Sequence, residues 1–319
     1  MQQHDQNKIP VIAIIGPTAS GKTELAAEIA LRRGGEIVSA DSMQVYQGMD
    51  IASAKPGDAE KRGIPHHMMD FLPLGQPFNV VQYVETARQC IFDIHSRGKL
   101  PIVAGGTGLY VDSLLQNIDF GEEPDTAALQ QRLRERMETE GPEALHRELT
   151  QIDPETAREL HPNNKGRVLR ALTVFYSTGM TMSGRRKESR KNESPFHPVY
   201  IGITFRERQT LYDRIDLRVE HMLASGLPEE VRETMALHGK TSVQAIGHKE
   251  LLPFINGELS FEEAVESLKR ETRRYAKRQL TWFRKNPCVR WFYKDDYDTA
   301  AEFFAAVDAF IEKERCTDA

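Results

Sequence analysis

Cysteine and tryptophan are scarce in this chain, with three Cys and two Trp among 319 residues. Cys90, Cys288 and Cys316 stand far apart and form no C-x-x-C pair. That spacing excludes a disulfide framework and a zinc site built on cysteine pairs, and it suits a reducing, cytoplasmic compartment. No apolar run approaches the roughly 18 to 20 residues that span a bilayer. The opening MQQHDQNK is polar, and the apolar stretch behind it is too short and wrongly flanked for a signal peptide. No internal repeat is present. Net charge is slight too: a formal −5, with 39% hydrophobic and 28% charged residues. The length allows one generous core, or a core with a smaller second domain.

The slight net charge hides a segregation. GRRKESRKN, residues 184 to 192, holds five Lys or Arg against Glu188, and KRETRRYAKRQLTWFRK, residues 269 to 285, holds eight against Glu271. Segregation on this scale points to a polyanionic partner on one surface, although either segment alone is equally well read as a solvated helix face or loop.

Along the chain, PVIAII (10 to 15) reads as a buried parallel strand, followed by a helix over TELAAEIALRR that stops at Gly34 and Gly35. EIVSA (36 to 40) is a second strand, delivering Asp41 and Ser42 at its end. Asn79 and Gln82 form a capping box that opens a helix to about Ser96. LPIVA (100 to 104) is a third strand, closed by Gly105-Gly106-Thr107-Gly108, with a further helix through Leu115. This alternation predicts a parallel sheet with helices on both faces. The rhythm breaks from Gly121 to Pro195, which is helix-rich, polar and without a convincing strand; PVYIGITF (198 to 205) then restores a core strand. The chain therefore reads as an α/β core over 1–120 and 197–319, interrupted by a helical insertion over 121–196. Ser260 and Glu263 cap a long helix to about Lys285, CVRWFY (288 to 293) is a late strand, and DTAAEFFAAVDAFIEKE a closing amphipathic helix.

The strongest chemical signal is GPTASGKT, Gly16 to Thr23, which fits G-x-x-x-x-G-K-[ST] between a strand and a helix. Its glycines let backbone N–H groups face phosphate oxygens, and the helix behind adds its positive end. Gly16, Thr18, Ala19, Ser20, Gly21, Lys22 and Thr23 are the candidate phosphate-binding residues. Lys22 supplies a point charge, and the Thr23 hydroxyl suits Mg²⁺. A nucleotide hydrolase would also carry a Walker-B carboxylate, yet strand 100–104 ends in Gly-Gly-Thr-Gly. Asp41 is the only carboxylate at a strand end beside the loop. It suits a general base or a water-mediated Mg²⁺ ligand, with an Asx-turn as the structural alternative. Gly105, Gly106 and Gly108 would admit a ligand close to the backbone, and Thr107 offers the one hydroxyl there.

Arg214 and Arg218, four apart on one helix face, would either close over a phosphate or pair with Asp213 and Asp216. His66-His67 lacks a completing ligand set and reads as loop. In the basic helix, Lys and Arg at three- and four-residue steps are interleaved with Tyr275, Trp282 and Phe283, a pattern of single-stranded nucleic-acid binding. The aromatics equally suit the buried side of the helix, and Trp282 is expected there.

GPTASGKT, SADSMQVYQGMDIASAKP, HHMMDF, GGTGLY, NKGRVLRAL, QAIGHKE and TRRYAKRQLTWFR together resemble, in this order, the tRNA dimethylallyltransferases, over about residues 10 to 293. The resemblance implies a P-loop NTPase-like fold and transfer of a dimethylallyl group from dimethylallyl diphosphate to N6 of adenosine 37 in tRNA, with pyrophosphate leaving. It implies that Gly16 and Thr18 to Thr23 grip the diphosphate with Mg²⁺, that Asp41 takes the N6 proton, and that Lys22 and Thr23 join the catalytic set. Arg214 and Arg218 would complete the diphosphate site. Contacts to tRNA would come from Asp41, Ser42, Met43, Gln44, Thr107, Arg167, Val168, Leu169 and Arg170. Gln244, Ala245, Ile246, Gly247, His248, Lys249, Lys277 and Arg278 would add to them, and the insertion would grip the anticodon stem-loop. His248 stands where the family pattern has Tyr. The absence of a Cys/His zinc finger points to a bacterial-type enzyme, with no membrane role and no obligatory protein partner evident. A P-loop small-molecule or nucleoside kinase, a prenyltransferase acting on free adenylate, and a nucleotide-gated RNA-binding module remain alternatives.

Overall fold

The computed structural model describes residues 8–118, 126–189, 193–237, 239 and 242–316. In chain order the core elements are β1 Ile9–Ile15, α1 Lys22–Arg33, β2 Gly35–Ser39, α2 Asp58–Lys61, β3 His66–His67, α3 Val80–Ser96, β4 Leu100–Gly105 and α4 Gly108–Leu115. Five helices follow: α5 Ala127–Thr139, α6 Pro142–Ile152, α7 Pro154–Glu159, α8 Lys165–Thr178 and α9 Met182–Glu188. The chain then returns through β5 Phe196–Thr204, α10 Arg208–Ala224, α11 Leu227–Thr234, α12 His248–Ile255, α13 Phe261–Phe283, β6 Arg290–Tyr293 and α14 Ala300–Cys316.

The six strands are all parallel, in the order β3-β2-β4-β1-β5-β6. β1 lies inside the sheet, with Ile14 opposite Ala104 of β4 and Ile201 of β5. Alternate residues of a strand face opposite sides, and here both sets are buried: Ile12 and Ile14 on one face, Val11, Ala13 and Ile15 on the other. This is why the strand reads as an unbroken apolar run. On the first face, Leu25 and Ile29 of α1 pack with Ile37, Ile102, Ile201 and Ile203, and with Phe303, Val307 and Ile311 of α14. Each such fully buried side chain contributes about 1.5–3 kcal/mol. α3 and α4 pack on each other and on β4, with Tyr83 and Tyr110 stacked at 4.0 Å.

Local signals account for the ends. Gly34 closes α1 at φ 62°, its N–H donating to Ala30. Both expected capping boxes form, at Asn79/Gln82 and Ser260/Glu263. β5 starts at Phe196, ahead of the expected Pro198; Pro198 pairs only with β1, since the ladder to β6 runs from Ile201 to Thr204. A strand tolerates proline where it has a single neighbour. The histidine pair is a correction to the loop reading. His66 and His67 form the short edge strand β3 against Ile37 and Val38.

Residues Met1–Leu115 and Ser194–Ala319 make one compact unit, and Gln116–Glu193 a second. The second unit has its own core of Leu133, Met137, Leu145, Leu149, Ala157, Val168, Ala171 and Leu172. Its buried Asp153 caps α7 through Thr156 N–H at 3.1 Å and accepts from Ser183 N–H at 2.9 Å, tying α9 to α7. Burial opposes ionisation there, but these bonds and that of the Thr156 hydroxyl prevail and hold the carboxyl down to about 2. No helix among the described residues is long and apolar enough to cross a membrane.

Candidate active site

Parallel topology brings the C-terminal ends of β1, β2 and β4 side by side, so Gly16, Asp41 and Thr107 share one edge of the sheet. Open α/β sheets bind ligands at this edge.

The loop after β1 is held in a conformation few sequences permit. A Cβ at Gly16 would lie 2.3 Å from the Ile203 carbonyl oxygen, and Gly21 enters α1 at φ 91°. Ala19 adopts φ 62°, strained for a residue with a Cβ. The strain is braced from outside the loop. Arg214 of α10 donates from Nε to the Ala19 carbonyl oxygen at 3.0 Å, and Gln279 of α13 accepts from Thr18 N–H at 2.8 Å.

Inside the loop, Lys22 Nζ donates to the Pro17 carbonyl oxygen at 2.6 Å. Burial, and secondarily the charge of Arg218, push its ammonium down to about 7, against an upward pull from Asp41. The Ser20 hydroxyl is fully buried and has no hydrogen-bond partner among the described residues. An orphaned hydroxyl beside a helix N-terminus and a cation starved of counter-charge is the arrangement that a phosphate group satisfies. Thr23 stands in the first turn of α1, half-buried.

Asp41 follows β2. Its Oδ1 accepts from Met43 N–H at 2.9 Å, so the Asx-turn exists and occupies one oxygen. Lys22 and Arg218 both feel the Asp41 charge, as do Tyr110 and Tyr275, whose phenols are raised chiefly by burial. Ser42 N–H donates to Thr107 Oγ1 at 3.1 Å, joining the loops after β2 and β4. Ser42 and Met43 are half-buried. The Gln44 amide is spent within the protein, accepting from the Ser39 hydroxyl at 2.8 Å and donating to the Ser53 and Ala54 carbonyl oxygens.

Arg214 and Arg218 of α10 divide. Arg214 takes the loop carbonyl, whereas Arg218 is depressed by burial and stands in the field of Asp41. Among the described residues neither forms an ion pair with Asp213 or Asp216 of its own helix. Asp216 is bound by Arg273 at 2.6 Å, and Asp213 accepts from Gln209 at 2.8 Å.

The basic helix α13 also divides. Lys269 pairs with Glu220, Arg273 with Asp216 and Arg274 with Glu271. Lys277 and Arg278 are exposed and make no ion pair among the described residues. Phe283 is in the core, whereas Trp282 is 36% exposed and docks its edge, Nε1 donating to Asp112 at 2.7 Å. In the other basic segment Arg186 pairs with Glu159 and Lys187 with Glu155; Arg190 and Lys191 lie outside the described residues.

The remaining sequence candidates fall on different surfaces and depths. In α8, Arg167 and Arg170 are exposed, while Val168 is a core residue and Leu169 packs against that core. Around α12, Gln244 and Lys249 are exposed, Ile246 is half-buried, and Ala245, Gly247 and His248 are buried. His248 is 0% exposed and 3.4 Å from Glu230, whose carboxylate accepts from Ile51 and Ala52 N–H at 2.6 and 2.9 Å. Its imidazole is thus a packing and positioning group within the protein rather than a surface contact. No cluster of three or more His, Cys, Asp or Glu exists among the described residues, and His67 serves Glu36 at 2.8 Å.

Two features escaped the sequence. The second unit has a cavity of about 320 Å³ lined by Arg134, Arg170 and Arg185 with Thr126, Gln130, Thr173 and Ser177. Gln279 and Tyr275 also reach the site from α13: Tyr275 contacts Thr107 and Gln279 through its hydroxyl. The sequence marks Tyr275 as an aromatic of the basic helix, but the only signal for Gln279 is its spacing of four from Tyr275, on the face opposite Lys277 and Arg278.

Comparison with known proteins gives a single answer. A family model described as IPP transferase matches residues 44–286, and one described as isopentenyl transferase matches residues 9–74. The tRNA dimethylallyltransferase of Caldanaerobacter subterraneus subsp. tengcongensis is 44% identical over 298 residues, spanning 92% of this chain and 95% of the relative. That of Acetivibrio thermocellus is 48% identical over 292 residues, spanning 91% and 93%. Among solved structures, the full-length tRNA isopentenylpyrophosphate transferase of Bacillus halodurans superposes with a TM-score of 0.74 at 40% identity, covering 98% of each chain. A eukaryotic dimethylallyltransferase acting on tRNA gives 0.76 at 29% identity, covering 96% of this chain and 80% of its own. With the phosphate loop, Asp41 and the Gly105–Thr107 turn on one edge of a P-loop NTPase-like sheet, this chain belongs to the tRNA dimethylallyltransferase family.

Proposed function

We propose that this chain transfers the dimethylallyl group of dimethylallyl diphosphate to N6 of adenosine 37 in tRNA and releases pyrophosphate. The carrying observation is the meeting of two half-buried cations, Lys22 and Arg218, with the Asp41 carboxylate at a sheet edge where β4 ends in glycine rather than acid. Cations on a phosphate loop stabilise charge gained by a departing diphosphate. A carboxylate opposite them suits removal of one proton from a weak amine nucleophile.

In this reading the N6 lone pair attacks C1 of the allyl group as the C1–O bond breaks. The bonding pair leaves with the diphosphate, onto Lys22, Arg218, the Ser20 hydroxyl and the amides of the loop. The N6 proton passes to Asp41, on the oxygen not engaged by Met43. Alignment supplies much of the rate, since an exocyclic amine is a poor nucleophile. Mg²⁺ fits the donor set: the Thr23 hydroxyl would hold it, and the Asp41 carboxylate through water, with other ligands from phosphate and solvent. Bound there, the ion would add positive charge beside the leaving group.

The adenosine must leave its loop stack, at a cost of a few kcal/mol. Exposed Lys277 and Arg278, and the arginine-lined cavity of the second unit with its buried Thr173 hydroxyl, which has no hydrogen-bond partner among the described residues, support phosphate contacts to the anticodon stem-loop that offset it. The cytoplasm is the compartment that this substrate and the lone thiols suit.

Incubating the protein with Mg²⁺, dimethylallyl diphosphate and unmodified tRNA, then weighing the digested nucleosides, tests the reading. One adenosine per tRNA gains the prenyl mass. Absence of that gain, or phosphoryl transfer from ATP to a small acceptor without RNA, overturns it.

A further inference from the structure

Gln279 belongs to the basic helix by sequence, yet it points away from solvent, being 5% exposed. Its Oε1 accepts from Thr18 N–H at 2.8 Å, and its Nε2 donates to the Gly106 carbonyl oxygen at 3.0 Å. Thr18 lies in the loop that grips the donor diphosphate. Gly106 precedes Thr107, whose hydroxyl accepts from Ser42 N–H next to Asp41. One primary amide therefore ties the leaving-group side of the site to the nucleophile side.

Only an amide completes this bridge, because one neighbour is a donor and the other an acceptor. A carboxylate would accept from Thr18 but face the Gly106 carbonyl with a second acceptor, and an aliphatic side chain would leave both groups unpaired. The fit is close: a Cβ at Gly106 would lie 2.1 Å from Nε2. The helix that carries Gln279 is itself fixed on both sides of it. Trp282 donates to Asp112 and fills the space where a Cβ at Gly108 would lie 2.3 Å from its ring, while Arg273 binds Asp216 of α10. Tyr275, one turn earlier, contacts Thr107 and Gln279.

We infer that Gln279 is a positioning residue for prenyl transfer, setting the separation between the diphosphate loop and the Thr107–Asp41 side so that N6 stands in line with the breaking C1–O bond. The inference rests on the proposed prenyl transfer. It has a chemical signature that loss of folding does not share. With the strut removed, the diphosphate is still gripped but the amine is out of line. Water then attacks C1, diphosphate departs with the C1–O pair, and a proton goes to solvent, giving dimethylallyl alcohol in place of modified RNA.

The experiment measures pyrophosphate released per adenosine prenylated, alongside kcat and both KM values, for wild type, Gln279→Leu and Gln279→Glu. Wild type is expected to give a ratio near one. Gln279→Leu should lose about 100-fold in kcat, the cost of a misplacement near 1 Å, and raise the ratio severalfold. Both KM values should stay within about threefold, as for an interaction realised in the transition state. Gln279→Glu keeps the shape and the Thr18 contact, so it should fall between the two; it also carries the test if the leucine variant does not fold. An unchanged ratio in the variants, or a kcat loss matched by an equal rise in donor KM, overturns the inference. Wild-type protein that prenylates no adenosine overturns the prenyl-transfer reading itself.

Discussion

Arg214 and Ala19 are 195 residues apart in sequence, and the arginine Nε meets the alanine carbonyl oxygen at 3.0 Å. The contact braces the one loop residue held at positive φ without being glycine. Arg218, one turn further along α10, has instead the fields of Lys22 and Asp41 around it. The two arginines therefore do different work, and their alanine variants should separate. Arg218→Ala is expected to raise donor KM roughly 10- to 100-fold, the loss of a charge-assisted contact of about 1.5–3 kcal/mol. Arg214→Ala should cost only about 1 kcal/mol, a few-fold in KM, since it removes one neutral-acceptor bond. Steady-state titration with the diphosphate substrate checks both, and equal effects would refute the division.

Asp41 has two tasks that substitutions can part. Asparagine retains an oxygen for Met43 N–H and removes the base; alanine removes both. Asp41→Asn should lower kcat by about 10²–10⁴, the usual scale of general-base loss, and leave tRNA affinity unchanged. Asp41→Ala should match that loss of turnover and add a weakening of tRNA binding as the Ser42–Gln44 turn loosens. Filter binding alongside single-turnover kinetics distinguishes them.

Lys22 sets a pH dependence on donor binding. Burial, then Arg218, bring its ammonium to about 7 in the ligand-free protein, and a bound diphosphate must raise it again. Below pH 7 the side chain is already charged and binding takes up no proton there. Above pH 7 a proton must be acquired, so donor affinity should fall by up to about tenfold per pH unit. Lys22→Arg keeps its charge throughout and should abolish this component, leaving only the titration of the diphosphate itself. Calorimetry in buffers of different ionisation enthalpy reads the proton uptake directly.

Lys277 and Arg278 are the exposed cations of α13 that no acid neutralises among the described residues. Replacing both with Gln should weaken tRNA binding and flatten its salt dependence by about 0.7 in log–log slope for each phosphate that is no longer neutralised. Donor KM should not change. Replacing Lys269 and Arg273, which are held by Glu220 and Asp216, should flatten the slope far less and lower the melting temperature.

Much of this was legible in the chain because it depends on local chemistry. An apolar run, a Gly-rich turn and a helix start specify β1, the phosphate loop and α1 wherever they occur, and Asn79/Gln82 and Ser260/Glu263 cap their helices using only neighbouring residues. The carboxylate at the end of β2 was readable for the same reason. The strand His66–His67 was not, since two residues carry no period and are a strand only through pairing with Ile37 and Val38. Nor could periodicity tell which lysines and arginines of α13 face acids on α10, or that Gln44, Val168 and His248 turn inward. The sequence by itself determined the Gly16–Thr23 loop, the parallel α/β architecture and the family. Only the tertiary structure decided which side chains brace that loop and which turn into the core, because a partner such as Gln279 for Thr18, 261 positions away, exists only once the sheet has brought distant loops to one edge.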